Sequence, residues 1–372
     1  MLCGEQGNLM RGNTQRNLTE NHLAMLGHEL RNALNGVVGV TELLGATSLS
    51  GEQQQLLEAL QQSGTQLRWL IDSVSSEDRK PNFPFEALPY KLNGIDLLEQ
   101  AVRCHTPAAI QSNNLLLLKI EPELPADWKS DGRLLRQLID NLLSNAIRAT
   151  HSGSIVLEAR RTGGSLQKDD GLELLVRDTG PGISPESRRR IFEPWVQLSD
   201  KQNKDSAGLG LHICTRIVSS LRGTVDCLVG SGSGSCFRVY LPGIFFDSPL
   251  PEKNGLVSRL FSSMNCLVPT EEPLHSSLES ILSRLGVRTV SREKVMESEP
   301  GSKVQIIIRE LEIPARGKNP RPGLLLGFHP GHNHGENFLH SRRLSAPYLE
   351  STLGPLLMEM ALEWRIYRQK AE

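Results

Sequence analysis

The sequence has no strong excess of either charge, no long apolar run and no closely paired cysteines. Its formal net charge is −1 over 372 residues, which argues against a nucleic-acid-binding protein held by basic charge. No apolar run approaches the roughly 18 residues of a membrane helix, and the first residues lack the apolar core of a signal peptide. The six cysteines form no C-x-x-C pair, which favours reduced thiols in a cytoplasmic protein.

The composition that is present, 38% hydrophobic and 22% charged residues, is typical of a soluble globular protein. The length allows two or three domains. We predict five regions: a flexible segment at 1–16, a helical hairpin at 17–80, an α+β domain at 84–243, a linker at 244–256 and an α/β domain at 257–372.

The most regular pattern in the chain is a heptad repeat of apolar residues. Two such series, separated by a Gly/Ser/Thr-rich turn at 45–51, predict an antiparallel helical hairpin. In a lone hairpin, half of the apolar seam would remain exposed to water. We therefore predict a homodimer that completes a four-helix bundle. The first series is Leu23, Leu26, Leu30, Ala33, Val37, Val40 and Leu44, and the second is Leu56, Leu60, Ser63, Leu67, Leu70 and Val74.

The first helix carries one histidine at an unusual position. With Leu23 at position a, His28 takes position f, which is the position turned furthest from the seam. Glu29 follows it, and Asn32 lies one turn further along the same face. A histidine buried for packing would lie on the seam, so we expect His28 to be presented to something outside the bundle.

After a Pro-broken linker at 75–89, helices and strands alternate. One predicted helix, Asp131–Thr150, places Asn141, Asn145 and Arg148 on one face. Amide oxygens suit a magnesium ion and a guanidinium suits a polyphosphate. A solvated polar face fits this spacing equally well. The other predicted elements are helices at Gly94–His105 and from near Gly208, and strands at Leu115–Ile120, Ser154–Arg160, Glu173–Asp178, Thr224–Val229 and Ser235–Leu241.

Two glycine-containing turns accompany this helix. Asp178 ends a strand and leads into a turn with Gly180 and Gly182, where the carboxylate could accept from an exocyclic amine, although an ordinary turn has the same composition. The segment 208–210, Gly-Leu-Gly, stands at a helix start where exposed N–H groups favour an anion, but a lone G-x-G is weak. The segment between them, 184–206, fits a lid hinged by glycines, and Arg188–Arg190 within it fits a solvated helix face.

In order along the chain, these motifs resemble those of the histidine kinase family. HELRN is similar to the phosphoacceptor box, NLLSNAIRAT to the N box, DTGPGI to the G1 box, IFEPW to the F box and AGLGLHI to the G2 box. GSGSCFRVYLP is similar to the family's closing hairpin, and the resemblance covers residues 19–242. It implies a dimeric phosphotransfer hairpin followed by an α/β sandwich of the Bergerat type that binds ATP.

The resemblance also implies roles for individual residues. His28 would attack the γ-phosphate and become phosphohistidine, while Glu29 would orient it or take its proton. Asn145, as the direct ligand, and Asn141 would face Mg²⁺ and the phosphates. Arg148 would hold the phosphates, Asp178 would bind the adenine amine, and the pocket and its lid hinges would be shaped by Gly180, Gly182, Gly208, Leu209 and Gly210. The phosphoryl group would pass to an aspartate of a separate response regulator.

Three positions bear on this assignment. Ala33 stands where the family often has proline, so the heptad is unbroken and we expect a less kinked helix. Asn32 stands where Thr or Asn is usual, and either could position a water for phosphatase activity. Related ATPases carry a glutamate where this chain has Asn141, so hydrolysis by water should be poor and transfer to His28 favoured.

The C-terminal region resembles a receiver domain, which implies a flavodoxin-like fold. Thr270 and Glu271 replace its usual acid pair, Glu310 stands at the acceptor aspartate and Ala346 at the lysine. A glutamate is one methylene too long to accept phosphate in that geometry, so we predict a degenerate receiver with a binding or autoregulatory role. Four histidines in this region could bind a metal, but without an acid or cysteine at ligand spacing we predict a metal-free loop: His329, His332, His334 and His340.

The leading hypothesis is therefore an ATP-dependent protein-histidine kinase. A kinase-like binding protein that heterodimerises with or sequesters another kinase is the alternative, and ATP binding without phosphohistidine would favour it. A GHKL ATPase that remodels other molecules is disfavoured by Asn141. No sensor region is evident, so we expect any signal to enter through residues 1–20, through the receiver-like domain, or from a separate protein such as an upstream sensor or another kinase.

Overall fold

The structure is a computed structural model in which the chain divides into two compact units, Met1–Glu86 and Ala87–Glu372. The domain boundaries given above stay predictions within this division. No described helix is long and apolar enough to cross a membrane. The structure describes residues 87–163, 170–196, 208–229, 234–244, 265–290, 305–313, 321–329, 339–345 and 347–371, together with scattered positions between 30 and 64.

The first unit is helical at its described positions between 30 and 45 and between 53 and 64. Leu34 and Leu57 are buried, with 5% and 7% of their surfaces exposed. The predicted seam residues are uncovered instead: Leu30, Val37 and Val40 are 55%, 51% and 57% exposed. Within one chain, the buried side chain Leu34 lies next to the predicted heptad seam of the first helix. The seam itself stays exposed to solvent.

The second unit contains the remaining described helices and strands. We label its helices α1 (Gly94–Gln111), α2 (Gly132–Ala149), α3 (Ser187–Arg190), α4 (Gly210–Ser220), α5 (Leu274–Arg284) and α6 (Glu350–Ala371). The strands are β1 (Tyr90–Asn93), β2 (Leu115–Ile120), β3 (Asp127–Ser130), β4 (Ser154–Thr162), β5 (Gly171–Asp178), β6 (Thr224–Val229), β7 (Ser235–Pro242), β8 (Asn265–Leu267), β9 (Arg288–Val290), β10 (Gln305–Ile313), β11 (Arg321–His329) and β12 (Leu339–Ser345).

Residues 87–244 form an α/β sandwich. The sheet has the order β2-β4-β5-β7-β6, in which β2 and β4 are parallel and the other neighbours antiparallel. Helices α1, α2 and α4 pack on the sheet and on one another. Side chains on the helix side of the strands, such as Leu116, Leu157 and Leu174, are nearly inaccessible. The fold predicted for this region is confirmed.

A small antiparallel ribbon of β1 and β3 starts the sandwich. Strands of four residues are too short to show alternation, so the sequence did not predict them. The ribbon brings the buried Trp128 against Gly94, where an added Cβ would lie 1.9 Å from the indole. Only glycine fits there, which explains how α1 can begin directly after β1.

The C-terminal sheet corrects the flavodoxin-like prediction. Its order, β12-β11-β10-β8-β9, matches a 2-1-3-4-5 arrangement, and β8 is parallel to β9 and β10. However, β10, β11 and β12 are antiparallel neighbours. The connections at 314–320 and 330–338 are shorter than the dozen or so residues that a parallel crossover needs. The strand β11 was not foreseen from the sequence.

Candidate active site

The predicted phosphoacceptor residues His28, Glu29 and Asn32 lie outside the described residues, so their roles stay predictions. Their described neighbours Leu30 and Ala33 are both helical and exposed.

Helix α2 supplies the predicted N-box residues, and its start is fixed by Asp131. The Asp131 carboxylate accepts hydrogen bonds from the backbone N–H groups of Arg133 (3.0 Å) and Leu134 (3.3 Å). Burial alone would raise the pKa of this carboxyl, but the hydrogen bonds from Arg133, Leu88 and Leu134 lower it below its usual value. A charged cap therefore sets the register of α2, and with it the direction of every side chain on the helix.

The stripe of Asn141, Asn145 and Arg148 lies beside the start of α4. Arg148 is exposed, and its Nη2 donates to Asn145 Oδ1 at 2.6 Å. A Cβ added at Gly210 would lie 3.7 Å from Asn145 Nδ2 and 4.0 Å from Asn141 Oδ1. The N-box and G2-box motifs are thus adjacent in space, and this favours a site over a solvated face.

The side-chain amide of Asn145 contains a buried hydrogen-bond donor that lacks an acceptor among the described residues. Asn145 Nδ2 is buried and has no hydrogen-bond partner within the part of the chain that the structure describes. A buried amide donor without a partner costs about 1–3 kcal/mol, so such groups need an explanation. A ligand oxygen beside Asn145 would supply the missing acceptor.

Asp178 lies at the end of β5, where it organises the G1-box turn. Its Oδ1 accepts from the backbone N–H groups of Gly180 (2.9 Å) and Ser235 (3.3 Å). Burial is the largest influence on its pKa and raises it, although these backbone hydrogen bonds oppose the shift. A carboxylate held in this way keeps further lone pairs that can accept a hydrogen bond from a ligand.

The turn after Asp178 is held close to the end of α2. A Cβ at Gly180 would lie 2.8 Å from the carbonyl oxygen of Ala149, so a side chain there would push the turn and the helix apart. Gly182 and Gly208 have φ angles of 76° and 69°, which glycine adopts without strain. Leu209 is the N-cap of α4, and no described side chain caps that helix. The three predicted motifs therefore converge around the C-terminal half of α2.

His212 is a site-proximal residue that the sequence analysis did not single out. Its Nδ1 lies 3.0 Å from the carbonyl oxygen of Phe192, and burial lowers its pKa. Phe192 also packs edge-on against Phe237, with ring centroids 6.4 Å apart. Phe192 lies within the predicted lid and His212 follows its last residue, so this contact joins the middle of the lid to the start of α4. The sequence signal for this residue was its position within the G2-box motif, two residues after Gly210.

The arginine run at the start of the predicted lid is mainly a solvated face. Arg189 and Arg190 are exposed, while Arg188 Nε donates to the carbonyl oxygen of Ile183 at 3.1 Å. The run thus belongs to α3, and Arg188 supports the G1 turn from the side.

The receiver-like positions form no comparable site among the described residues. Thr270 and Glu271 are exposed after β8, and Glu310 lies on β10. Ala346, His332 and His334 lie outside the described residues. The loop predicted for the histidines is corrected at two positions, because His329 ends β11 and His340 is in β12. A search of the described residues finds no group of three potential metal ligands.

Comparisons with known proteins agree with the motifs. Residues 19–80 match the His Kinase A (phospho-acceptor) domain, and residues 130–243 match the histidine kinase-, DNA gyrase B- and HSP90-like ATPase family. The chain is 30% identical to the sensor histidine kinase RcsC of Escherichia coli, across 73% of this chain and 28% of RcsC. It is 34% identical to the sensor histidine kinase AruS of Pseudomonas aeruginosa, across 59% of this chain and 22% of AruS.

A solved structure extends this likeness to the fold. Full-length ShkA in complex with AMPPNP shares 28% sequence identity with this chain at a TM-score of 0.53, across 76% of this chain and 58% of ShkA. The chain thus spans less than a third of the two curated relatives and more than half of ShkA. The chain therefore carries a phosphoacceptor domain and an ATPase domain of the histidine kinase type, in the same order as their motifs.

Proposed function

We propose that the chain is an ATP-dependent protein-histidine kinase that phosphorylates His28 and passes the phosphoryl group to an aspartate of a separate response regulator. The observation that carries this proposal is the convergence of Asn145, Gly210, Asp178 and Gly180 around the end of α2. The AMPPNP bound to ShkA supports ATP as the nucleotide.

The site residues fit a nucleotide in distinct ways. The Asp178 carboxylate would accept a hydrogen bond from the adenine amine, and the glycine turn leaves room for the ring. Asn145 Nδ2 would donate to a phosphate oxygen, which satisfies its buried amide. Arg148 would contribute a fork of donors to the phosphates.

The donor set also fits Mg²⁺, which prefers oxygen ligands. Asn145 Oδ1 and Asn141 Oδ1 would hold it, so Arg148 would have to release Asn145 Oδ1, its present acceptor at 2.6 Å. That exchange would free the guanidinium for phosphate. When bound, the ion supplies positive charge that neutralises the phosphates during transfer.

The transfer itself requires positioning more than covalent chemistry. A neutral imidazole nitrogen of His28 attacks the γ-phosphorus, a P–N bond forms, and the bond from phosphorus to the bridging oxygen of ADP breaks. Glu29 orients the ring and accepts the proton that the imidazole loses. An unperturbed histidine pKa near 6.5 leaves most of the ring neutral at cell pH.

We further propose that the kinase acts as a homodimer. The seam residues Leu30, Val37, Val40 and Leu44, all at least 45% exposed, form a row of apolar side chains on one helix. A second hairpin packed on this row would bury it and complete a four-helix bundle. Asn32 is compatible with an added phosphatase activity toward the phosphorylated partner.

An autophosphorylation assay tests the proposal. Incubation of the whole chain with γ-labelled Mg-ATP should give acid-labile label, and the label should be absent from His28→Gln. Labelled protein should then lose its phosphate to a cognate response regulator. Label on His28→Gln equal to that on the wild type would refute the assignment of His28.

A further inference from the structure

The face of the ATP-binding sheet opposite its helices carries several charged side chains beside the buried Leu175 and Cys236, and one of its corners is wholly apolar. Side chains on this open face pair across the strands, as in Arg177–Glu158 (3.5 Å) and Arg238–Asp226 (2.9 Å). At the β2–β4 corner the same face carries Leu115, Leu117 and Val156 instead. These residues belong to one apolar cluster with C-terminal residues, including Cys266, Leu274, Leu278 and Ile281.

Helix α5 of the C-terminal domain also bonds to the backbone of β2, which is the edge strand of this sheet. Ser277 Oγ donates to the carbonyl oxygen of Leu118 at 2.6 Å. Ser280 Oγ accepts from the Ile120 N–H at 3.0 Å and donates to the Ile120 carbonyl oxygen. Unpaired backbone groups on an edge strand invite pairing with other chains, and these two serines satisfy them within the chain.

A second contact joins the start of α6 to α1. Glu99 on α1 is 4% exposed and accepts from the Ser351 N–H (3.1 Å) and from the Ser351 hydroxyl. Arg103 Nη2 donates to the same hydroxyl at 2.6 Å. A buried carboxylate from one domain thus caps the N-terminus of a helix of the other, where the helix dipole favours negative charge.

A third contact comes from the last residue of α5. Arg284 Nε donates to Glu350 Oε2 at 2.7 Å, and its Nη1 donates to the carbonyl oxygen of Leu124 at 3.0 Å. Arg284 is therefore bound on both sides of the interface. The two domains carry matched groups at three separate points, which is the property of a specific interface.

The docked helix α1 is tied in turn to the nucleotide-binding helix. His105 Nε2 on α1 lies 3.0 Å from Asp140 Oδ1 on α2, and Arg136 Nε donates to both oxygens of Asp140 at 2.9 Å. Asp140 directly precedes Asn141. A restraint on α1 is thus also a restraint on the helix that positions Asn141 and Asn145.

We infer that the C-terminal domain is a built-in docking partner of the ATP-binding domain, and that its seat on β2 and α1 preorganises the nucleotide site. This inference rests on the proposed function. Holding binding residues in place before the ligand arrives increases affinity, because less order has to be imposed on binding. The domain predicted as a degenerate receiver therefore contributes to nucleotide affinity without accepting phosphate.

The test uses two arginine substitutions in the full chain. Ser277→Arg places a long cation in the interface, since Ser277 is fully buried there, whereas Ser276→Arg alters the adjacent, partly exposed position of the same helix. Docking is measured by amide exchange of Ile120 and Ser351, whose N–H groups bond across the interface. Nucleotide affinity is measured with a fluorescent Mg-ATP analogue.

We expect Ser277→Arg to speed exchange of both amides at least tenfold and to weaken nucleotide binding several-fold, while Ser276→Arg behaves as the wild type. Glu99→Gln, a milder change, should deprotect Ser351 and weaken binding less. Fast exchange of both amides in the wild type would refute docking. Lost protection with unchanged affinity would refute preorganisation, whereas a wild type that binds no nucleotide would instead refute the proposed function.

Discussion

The two α/β regions of the second unit, each built around a five-stranded sheet, differ in where their polar side chains lie. In the sandwich of residues 87–244, Asp178 at the end of β5 and Asn145 on α2 point into one site next to the glycine turn. In the C-terminal domain, Ser277, Ser280 and Ser351 bond to the neighbouring domain instead. The positions where a receiver would bind phosphate carry Thr270 and Glu310.

We infer from this difference that layer architectures can carry a nucleotide site or a docking surface, depending on where their polar groups converge. If it is correct, substitutions at convergent positions of the sandwich should affect nucleotide chemistry. Substitutions at the receiver-like positions should not.

Asn145→Ala should reduce autophosphorylation most. It removes a proposed ligand oxygen for Mg²⁺ and the buried amide donor together, and loss of one preorganised group at a developing charge costs about 100-fold in rate. Initial rates of phosphohistidine formation at saturating ATP measure the effect. Ser144→Ala, the adjacent position on α2, is the matched control and should retain the wild-type rate.

Asp178→Asn should weaken nucleotide binding by roughly 10- to 100-fold, since a hydrogen bond to a charged group contributes about 1.5–3 kcal/mol. Titration with a fluorescent ATP analogue measures it. Asp170→Asn, at the opposite end of β5 and bound to Arg161, is the control in the same sheet. Equal losses in the two variants would mean that charge on the sheet matters and the position of Asp178 does not.

The same substitution should stabilise the nucleotide-free protein. Burial raises the pKa of Asp178 in the folded state, so its favourable contribution to stability is complete only below the unfolded value of 3.8 and is lost as the pH rises through the folded pKa. Above the folded pKa the ionised carboxylate therefore destabilises the folded protein. The melting temperature of Asp178→Asn at pH 7 should exceed that of the wild type.

Much of this site follows from the sequence, because its residues lie in short contiguous motifs with helical or turn geometry. The spacing of Asn141, Asn145 and Arg148 placed them on one face, and the structure brings that face to Gly210. The part that could not be foreseen depends on distant contacts. The bond between His212 and Phe192 joins two segments, and no local pattern encodes that pairing.

The same limit explains the fold-level corrections. Heptad spacing predicted the apolar seam of the first helix, but it did not predict that Leu34 and Thr41, one position away from the seam, would be the buried side chains. In the C-terminal domain, strand order followed the receiver-like pattern, but strand direction depended on two short connections. The hydrogen bond between Ser351 and Glu99 joins residues 252 positions apart, so no local sequence pattern predicts it.

His212→Gln should raise the KM for ATP about fivefold, which corresponds to the loss of one neutral hydrogen bond of about 1 kcal/mol between α4 and Phe192 in the predicted lid. The turnover at saturating ATP should change less. Steady-state kinetics separates the two effects. A fall in turnover with an unchanged KM would indicate that His212 acts on the transfer step and not on the lid.

His212 also predicts a pH dependence. Burial lowers its pKa below the unfolded value of 6.5, so its contribution to stability is complete above pH 6.5 and is lost as the pH falls toward the folded pKa. His212→Gln should therefore lose less stability than the wild type between pH 7 and pH 5. Urea unfolding at the two pH values measures the difference.

Glu310→Ala should leave the labelling pattern unchanged, which is the smallest effect and the most direct examination of the contrast between the two sheets. A glutamate at an acceptor position holds its carboxylate one methylene too far out, so no acyl phosphate should form there. Phosphohistidine is stable in alkali, whereas an acyl phosphate is hydrolysed, so alkali treatment distinguishes them. Alkali-labile label that disappears in Glu310→Ala would show that the C-terminal domain accepts phosphate, and the contrast between a catalytic and a docking sheet would then fail.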